Sequence, residues 1–258
     1  MATYTTEIAS DKLISDNPIH QRLLKAYIAA KPWVSGKLLE VGCGEGRGVE
    51  ELLPLAESYI GLDKIGEVIQ MLQAKFPGVD FRQAVIPPFQ DFQSDTFDTI
   101  VSFQVIEHIP NDRLFLQEIY RMLKPGGKAI ISTPNITHTL SRNPWHEREY
   151  TPQQLIELVG EIFDRVEAKG IGGNDKVWAY HEANRQSVQR IMRFDIFDLQ
   201  HKLPASLLRM PYEILNRLNR NKLHKQQGKS VVEISHADYP LVEDPAKGLD
   251  LFYILWKK

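Results

Sequence analysis

A chain of 258 residues, 43% hydrophobic and 25% charged, can bury one good core with room for an added subdomain. Its net charge of −2 gives no global attraction to nucleic acid, and a single cysteine, Cys43, excludes an internal disulfide framework and a cysteine-built zinc site. No stretch approaches the ~20 apolar residues of a membrane span, and the polar N-terminus lacks the apolar centre of a secretion signal, so the expected location is the cytoplasm.

Residues 1–16 read as a polar arm. Asn17-Pro18 reads as a helix start, with Ile19, Leu23, Leu24, Tyr27 and Ile28 on one face up to Pro32. Leu38, Leu39 and Val41 form an apolar run too short for a helix, so they predict a buried strand. Glycines follow at alternate positions 42, 44, 46 and 48. Val49, Leu52 and Leu53 then recur at helical spacing. Strand, glycine turn and helix together make a seat for a nucleotide-like ligand. The glycines let the backbone approach it, and the helix start offers N–H groups.

Residues 59–63 read as a second strand, ending in the acid Asp63. A helix with Val68, Ile69, Leu72 and Phe76 inward follows, then a weak strand over 79–82 and irregular chain at Pro87-Pro88. Residues 97–103 predict the next strand. It is followed by Gln104-Val105-Ile106-Glu107-His108-Ile109 and an amphipathic helix that stops at Lys124-Pro125-Gly126-Gly127. Residues 128–133 predict a strand and 134–150 a loop rich in His, Asn and Pro. Thr151-Pro152 caps another helix, 163–168 alternates as a strand, and 249–256 reads as the last strand. Gly172-Gly173-Asn174 reads as a turn and hinge. Alternating strands and helices predict a mostly parallel α/β sheet. Ligands bind such sheets beyond the carboxyl ends of the strands, where 42–48, Asp63, Val85, Gln104 and the 134–150 loop all fall.

Residues 174–248 break the alternation and are expected to form a helical insertion or lid. Residues 182–229 look helical, with Phe194 and Phe197 among the apolar positions. They carry ten Lys/Arg against four Asp/Glu, a local balance of +6 that leaves the rest near −8. A solvated helical face is the plainest reading. A cap over an acceptor pocket is the second, and a peripheral membrane or anionic-glycan contact is the third. Breaks at Pro204 and Pro211 argue against one long amphipathic helix.

The motif Leu39-Glu40-Val41-Gly42-Cys43-Gly44-Glu45-Gly46, followed by Gly61-Leu62-Asp63, resembles the class I S-adenosylmethionine-dependent methyltransferases. The blocks at 97–102, 105–109 and 123–127 fit the same family in order and spacing. The resemblance is nearest to the group that includes ubiquinone and menaquinone biosynthesis methyltransferases. It implies a Rossmann-like, seven-stranded sheet sandwiched by helices, with the last strand antiparallel and the helical insertion before it. The expected division is 1–173 with 249–258 as the cofactor domain and 174–248 as the insertion.

The resemblance also implies S-adenosyl-L-methionine as cofactor. Gly42, Cys43, Gly44 and Gly46 are expected along its methionine part and Glu40 near its amino group. Asp63 is expected on the ribose, with Lys64 and Ile65 beside the adenine, Ala84 and Val85 meeting the adenine through backbone, and Gln104 near the sulfonium. The third glycine of a dinucleotide pattern falls at Arg47, which weighs against a nicotinamide-dependent oxidoreductase. A non-catalytic S-adenosylmethionine-binding protein is the other alternative.

The expected acceptor is a small molecule, lipid or glycan rather than nucleic acid, with oxygen the first guess for the methylated atom. A hydroxyl acceptor needs a base, and His146 and His108 are the candidates because histidine titrates near neutrality. The plain alternatives are a loop-anchoring hydrogen bond for His146 and a turn-pinning one for His108. Glu107, His108 and His146 also have the donor types of a divalent-metal site. Residue types alone do not establish one, and no metal is expected. Cys43 reads as a small residue that fits the turn rather than a nucleophile.

Overall fold

The short apolar runs become strands of one sheet, and the 3.6-period runs become helices on both of its faces. The computed structural model describes residues 14–193, 195 and 199–258. The expectation of a polar arm at 1–16 lies outside the described residues except at 14–16. Phe194 and Phe197 lie outside them altogether.

In chain order the elements are α1 (Asn17–Ala30), β1 (Lys37–Val41), α2 (Val49–Leu52), β2 (Ser58–Asp63), α3 (Gly66–Lys75), β3 (Asp80–Gln83), β4 (Phe97–Phe103) and α4 (Asp112–Met122). Then come β5 (Leu123–Pro134), α5 (Pro152–Gly160), β6 (Arg165–Ile171), α6 (Asp175–Met192), α7 (Leu199–Lys202), α8 (Ala205–Glu233), β7 (Leu241–Val242) and β8 (Asp250–Trp256). Local chemistry explains several ends. Pro18 occupies the first turn of α1, where a missing N–H costs nothing. Thr151 and Gln154 form a reciprocal capping box on α5. Asn174, expected in a hinge, caps α6 by accepting from the Val177 N–H at 3.1 Å.

The sheet order is β3-β2-β1-β4-β5-β8-β6-β7. Strands β1 to β5 pair in parallel, and β8 runs antiparallel between β5 and β6. The strand direction of progress reverses at β1 and β4, which opens a crevice beyond their carboxyl ends. The sheet has eight strands rather than the seven expected. The extra one, β7, is a two-residue edge pairing of Leu241 and Val242 with Ile171 and Gly170. A pair that short leaves no period to read in the sequence.

Alternation along each strand feeds two apolar layers. In β8, Phe252 and Ile254 join the layer under α1, α3, α6 and α8, while Leu251, Tyr253 and Leu255 join the layer under α4 and α5. A strand covered on both faces is apolar along its length, as β8 is from Leu251 to Trp256.

Helices α6 and α8 pack on each other, and α8 packs on the start of α1. Arg217 grips both carboxylate oxygens of Asp16 at 3.0 and 3.1 Å, and Asn17 Nδ2 donates to the carbonyls of Val231 and Ile234 at 2.9 and 2.8 Å. Asn219 Nδ2 donates to Asn184 Oδ1 at 2.7 Å and ties α8 to α6. The expected break is present at Pro204 and absent at Pro211. Pro204 precedes α8, and Pro211 lies inside a continuous 29-residue helix. A proline in the second turn removes one ladder hydrogen bond, and packing against α1 and α6 carries the helix past it.

Candidate active site

The crevice is organised by residues 42–48. Gly42, Gly44 and Gly46 have φ of 80°, 50° and 80°, the left-handed region that side chains resist. The Gly42 and Cys43 N–H groups both donate to the Leu62 carbonyl, at 2.8 and 2.9 Å, which fastens the turn to β2. Asp63 finishes the job. Its two oxygens accept from the backbone N–H of Gly44 at 2.9 Å and of Ile65 at 3.0 Å. A Cβ on Gly42 would meet Val105 Cγ2 at 2.3 Å, and one on Gly46 would meet Leu72 Cδ2 at 2.4 Å. A Cβ on Gly44 would have nothing within 4 Å, so open space lies against that backbone.

That space belongs to a cavity of about 360 Å³. Gly42, Cys43, Gly44, Gly46 and Gln104 all line it, so five of the expected binding residues share one wall. Glu40, Asp63, Lys64, Ala84 and Val85 are not on that wall. Asp63 touches it through Gly44, and the Ala84 N–H joins on by donating to the Asp63 carbonyl at 2.9 Å. Val85 is 79% exposed, so the far side of the crevice is open. The Cys43 side chain is buried among core residues, and burial pushes its thiol well up, which fits a space-filler. His20, Leu23, Leu24 and Tyr27 of α1 roof the cavity, a contribution the sequence pattern did not signal.

Glu40 lies behind the turn. Its carboxylate is 1% exposed and accepts hydrogen bonds from the Tyr27 hydroxyl at 2.9 Å and from the Tyr59 hydroxyl. Burial pushes its carboxyl up to about 7, against the pull of the two hydroxyls. The folded chain therefore holds this proton after the unfolded chain has released it. Glu40 subtracts stability progressively as pH rises from the ordinary carboxyl range to about 7. Glu40→Gln keeps the shape without the titration. Its melting temperature is expected to fall less than the wild type's between about pH 5 and 7. Parallel pH–melting curves for the two proteins would overturn this account.

Gln104 follows β4 with φ of 56°, the second non-glycine residue in that region besides Asp95 among the described residues. Its N–H donates to the Ser132 carbonyl at 2.8 Å, which helps hold the turn. Strain of this kind survives where the surroundings over-determine the backbone. Gln104 lines both the first cavity and a second one of about 250 Å³.

The second cavity is walled by the 138–149 loop, α1, α6 and α8. Its walls mix polar and apolar groups: Asn184 and Tyr180 from α6, Tyr212, Asn216, Asn219 and Arg220 from α8 and Arg22 from α1 stand beside Ile19, Leu23, Val177 and Leu249. Arg22 pairs with the buried Asp250 at 3.2 Å. Asn219 is 6% exposed, and its Oδ1 has no hydrogen-bond partner.

Glu107, His108 and His146 meet on this cavity. The His146 Nδ1–H donates to Glu149 Oε1 at 2.7 Å. Its Nε2 then accepts from Asn143 Nδ2 at 2.9 Å, so both ring nitrogens serve the loop. The His108 Nδ1–H donates to the Trp145 carbonyl at 2.9 Å, which leaves Nε2 as the basic nitrogen. The two rings stand edge to face, centroids 4.9 Å apart. Glu107 is 1% exposed and accepts from the Thr133 hydroxyl at 2.9 Å. Burial pushes its carboxyl up to about 7, with His146 pulling the other way. Its backbone carbonyl also accepts from the N–H groups of Glu147 and Arg148. One ligand atom from each of Glu107, His108 and His146 lies within 4.8 Å of the others, so this trio could hold a divalent ion.

Glu107 is the residue whose place the sequence reading understated. There it stands out only as one of the three metal-donor types, because nothing local signals full burial beside a cavity.

Residues 39–131 match a family model described as a methyltransferase domain. Among curated proteins, the "Probable S-adenosylmethionine-dependent methyltransferase" of Mycolicibacterium smegmatis is 36% identical over 153 residues, covering 57% of this chain and 56% of that protein. The mitochondrial ubiquinone biosynthesis O-methyltransferase of Homo sapiens is 34% identical over 134 residues, covering 49% of this chain and 34% of that protein. The chain thus spans about half the length of the first and a third of the second. Among solved structures, an S-adenosylmethionine-dependent methyltransferase from Thermotoga maritima matches with a TM-score of 0.57 at 16% identity, over 95% of this chain and 91% of that one. Another from Archaeoglobus fulgidus matches at 0.55 and 17%, over 92% and 94%. Identities this low carry the fold alone.

Proposed function

We propose, from the premise that residues 39–131 are a class I S-adenosylmethionine-dependent methyltransferase domain of the type 11 group, that the whole chain transfers a methyl group to a hydroxyl of a small, polar acceptor. The observation that carries this reading is Gln104, which stands on the wall shared by the glycine-turn cavity and the second cavity. A donor in the first and an acceptor in the second would meet there.

The residues of the turn fit the cofactor. Positive φ at Gly42, Gly44 and Gly46, with open space against Gly44, makes a cradle that a side chain would fill. Bound S-adenosylmethionine supplies a methyl already made electrophilic by its sulfonium. The work left to the chain is placement. Backbone at 42–46 would hold the methionine part and Asp63 the ribose, since each of its carboxylate oxygens can accept more than the one backbone hydrogen bond it has. Lys64, Ala84 and Val85 would border the adenine on the open side, and Glu40 would act from behind, by holding Tyr27. In the division of labour this implies, 1–173 with 249–258 binds the cofactor and 174–248 covers the acceptor and keeps water out.

Glu107 would take the hydroxyl proton. It lines the acceptor cavity, and a carboxyl near 7 suits a base at neutral pH. His108 and His146 would position it and the loop rather than accept the proton themselves. The polar side chains on these walls, with Asn219 Oδ1 in want of a donor, support an acceptor that carries hydroxyl groups. The relatives named as O-methyltransferases support oxygen as the methylated atom.

Calorimetry with S-adenosylmethionine, S-adenosylhomocysteine and NAD tests the reading. The first two are expected to bind and NAD is not; the reverse pattern would sink it. Asp63→Ala is expected to weaken S-adenosylhomocysteine binding by about 1–3 kcal/mol, the scale of hydrogen bonds to a charged group. An unchanged affinity would mean that the ribose is held elsewhere.

A further inference from the structure

Helix α8 has two unlike faces. One lines the second cavity with Tyr212, Asn216, Asn219 and Arg220 and buries Leu223. On the other, Leu207, Met210, Ile214 and Leu218 recur at helical spacing, and they are 55–71% exposed. At ~100° per residue these four fall within about 80° of arc and along about 16 Å of helix. Scattered exposed apolar residues are ordinary, but an aligned stripe on one helix is not.

Charge on α8 is sorted in the same way. Arg217 and Arg220 turn toward Asp16, and Arg209 lies over the Trp145 ring at 4.2 Å. The exposed Lys222 and Lys225 continue the apolar stripe along the same face. The exposed acid Glu213 sits ~100° away around the helix. A stripe of apolar side chains ending in lysines complements a surface that is apolar inside and anionic at its face.

The size of the stripe narrows the occupant. A helix about 10 Å wide and 16 Å of stripe present roughly 160 Å². A stable contact with another protein or a second copy takes about 800 Å² per partner. A lipid surface asks for no shape match and accepts a shallow helix of this kind. We propose that the outer face of α8 docks the chain on an anionic lipid surface, peripherally, with Leu207, Met210, Ile214 and Leu218 in the headgroup boundary and Lys222 and Lys225 at the phosphates. No helix among the described residues is long and apolar enough to cross a membrane, which fits a surface contact. The cavity on the inner face would then sit at the membrane.

Co-sedimentation of the full chain with vesicles tests this without cofactor or acceptor. One set is phosphatidylcholine alone and the other includes about one-third phosphatidylglycerol. The wild type is expected to sediment with the anionic set and about tenfold less with the neutral set. Ile214→Glu with Leu218→Glu is expected to cut anionic binding about tenfold with the melting temperature held, since both side chains are exposed. Lys222→Glu with Lys225→Glu, which leaves the apolar stripe intact, is expected to abolish the preference for phosphatidylglycerol. Wild type that stays in the supernatant with both sets overturns the proposal. So does equal sedimentation of wild type and both variants, or light scattering that shows a wild-type dimer made monomeric by Ile214→Glu with Leu218→Glu.

Discussion

Replacing Glu107 by glutamine is expected to cut turnover about 10²–10⁴-fold, the range lost with a positioned base, while S-adenosylhomocysteine affinity stays within about twofold. Glutamine keeps the volume and the acceptor oxygen for the Thr133 hydroxyl, so the fold is not challenged. It cannot take a proton. The pH profile separates catalysis from packing. With Glu107 at about 7, a base that must be ionised makes wild-type turnover rise through neutrality, and Glu107→Gln should flatten that rise. His146→Gln provides the contrast. Both His146 nitrogens serve Glu149 and Asn143, so its loss should disturb the loop and raise KM more than it lowers kcat. The assignment fails if Glu107→Gln keeps wild-type turnover with the first acceptor that the wild type methylates.

Gly48→Ala is the second large effect, and it is expected in stability. The backbone at Gly48 has φ of −92°, which any residue adopts. The obstacle is Tyr27, two of whose ring carbons lie 1.9 Å from the position of the new Cβ. That ring cannot swing aside cheaply. It packs edge-on against Phe103 at 4.8 Å, and its hydroxyl donates to the buried Glu40. Overpacking together with a weakened buried carboxylate hydrogen bond should cost about 3 kcal/mol. For a chain of this size that is a fall of about 6–12 °C in melting temperature. Cofactor affinity should fall as well, because Tyr27 is part of the cavity roof. Gly44→Ala is the control. Its φ is 50° but nothing lies within 4 Å of the new Cβ, so only conformational strain of about 1–2 kcal/mol is added. If Gly48→Ala melts like the wild type, the close approach of Tyr27 is not a constraint.

These variants mark how far local pattern reaches. The strand at 97–103 matches β4 (Phe97–Phe103) at both ends because Phe97, Thr99, Ile100, Val101 and Phe103 are strand-favouring residue types. The expected strand at 128–133 grew to β5 (Leu123–Pro134), because pairing with β4 begins at Leu123, before the Pro-Gly-Gly that reads as a stop. The 163–168 strand moved to β6 (Arg165–Ile171), where the register is set by pairing with β8, which lies far along the chain. Pro211 reads as a break and is none, because α8 is held by packing rather than propensity. In the site, the turn glycines, Asp63 and Gln104 were legible from spacing. The α1 roof, the burial of Glu107 and the use of both His146 nitrogens were not.

The sequence by itself determined the alternation of strands and helices, the glycine turn, the acid that follows it and the blocks that mark the cofactor. These depend on side-chain period and turn chemistry within a few neighbouring residues, which the order of amino acids states directly. Only the tertiary structure decided which carboxylates are buried, which face of α8 meets the cavity and which meets solvent, and why position 48 needs glycine. Each of those depends on a neighbour brought from elsewhere in the chain: Tyr27 to Gly48 and Glu40, Thr133 to Glu107, Asp16 to Arg217. Burial and desolvation are properties of such meetings, and no local pattern carries them.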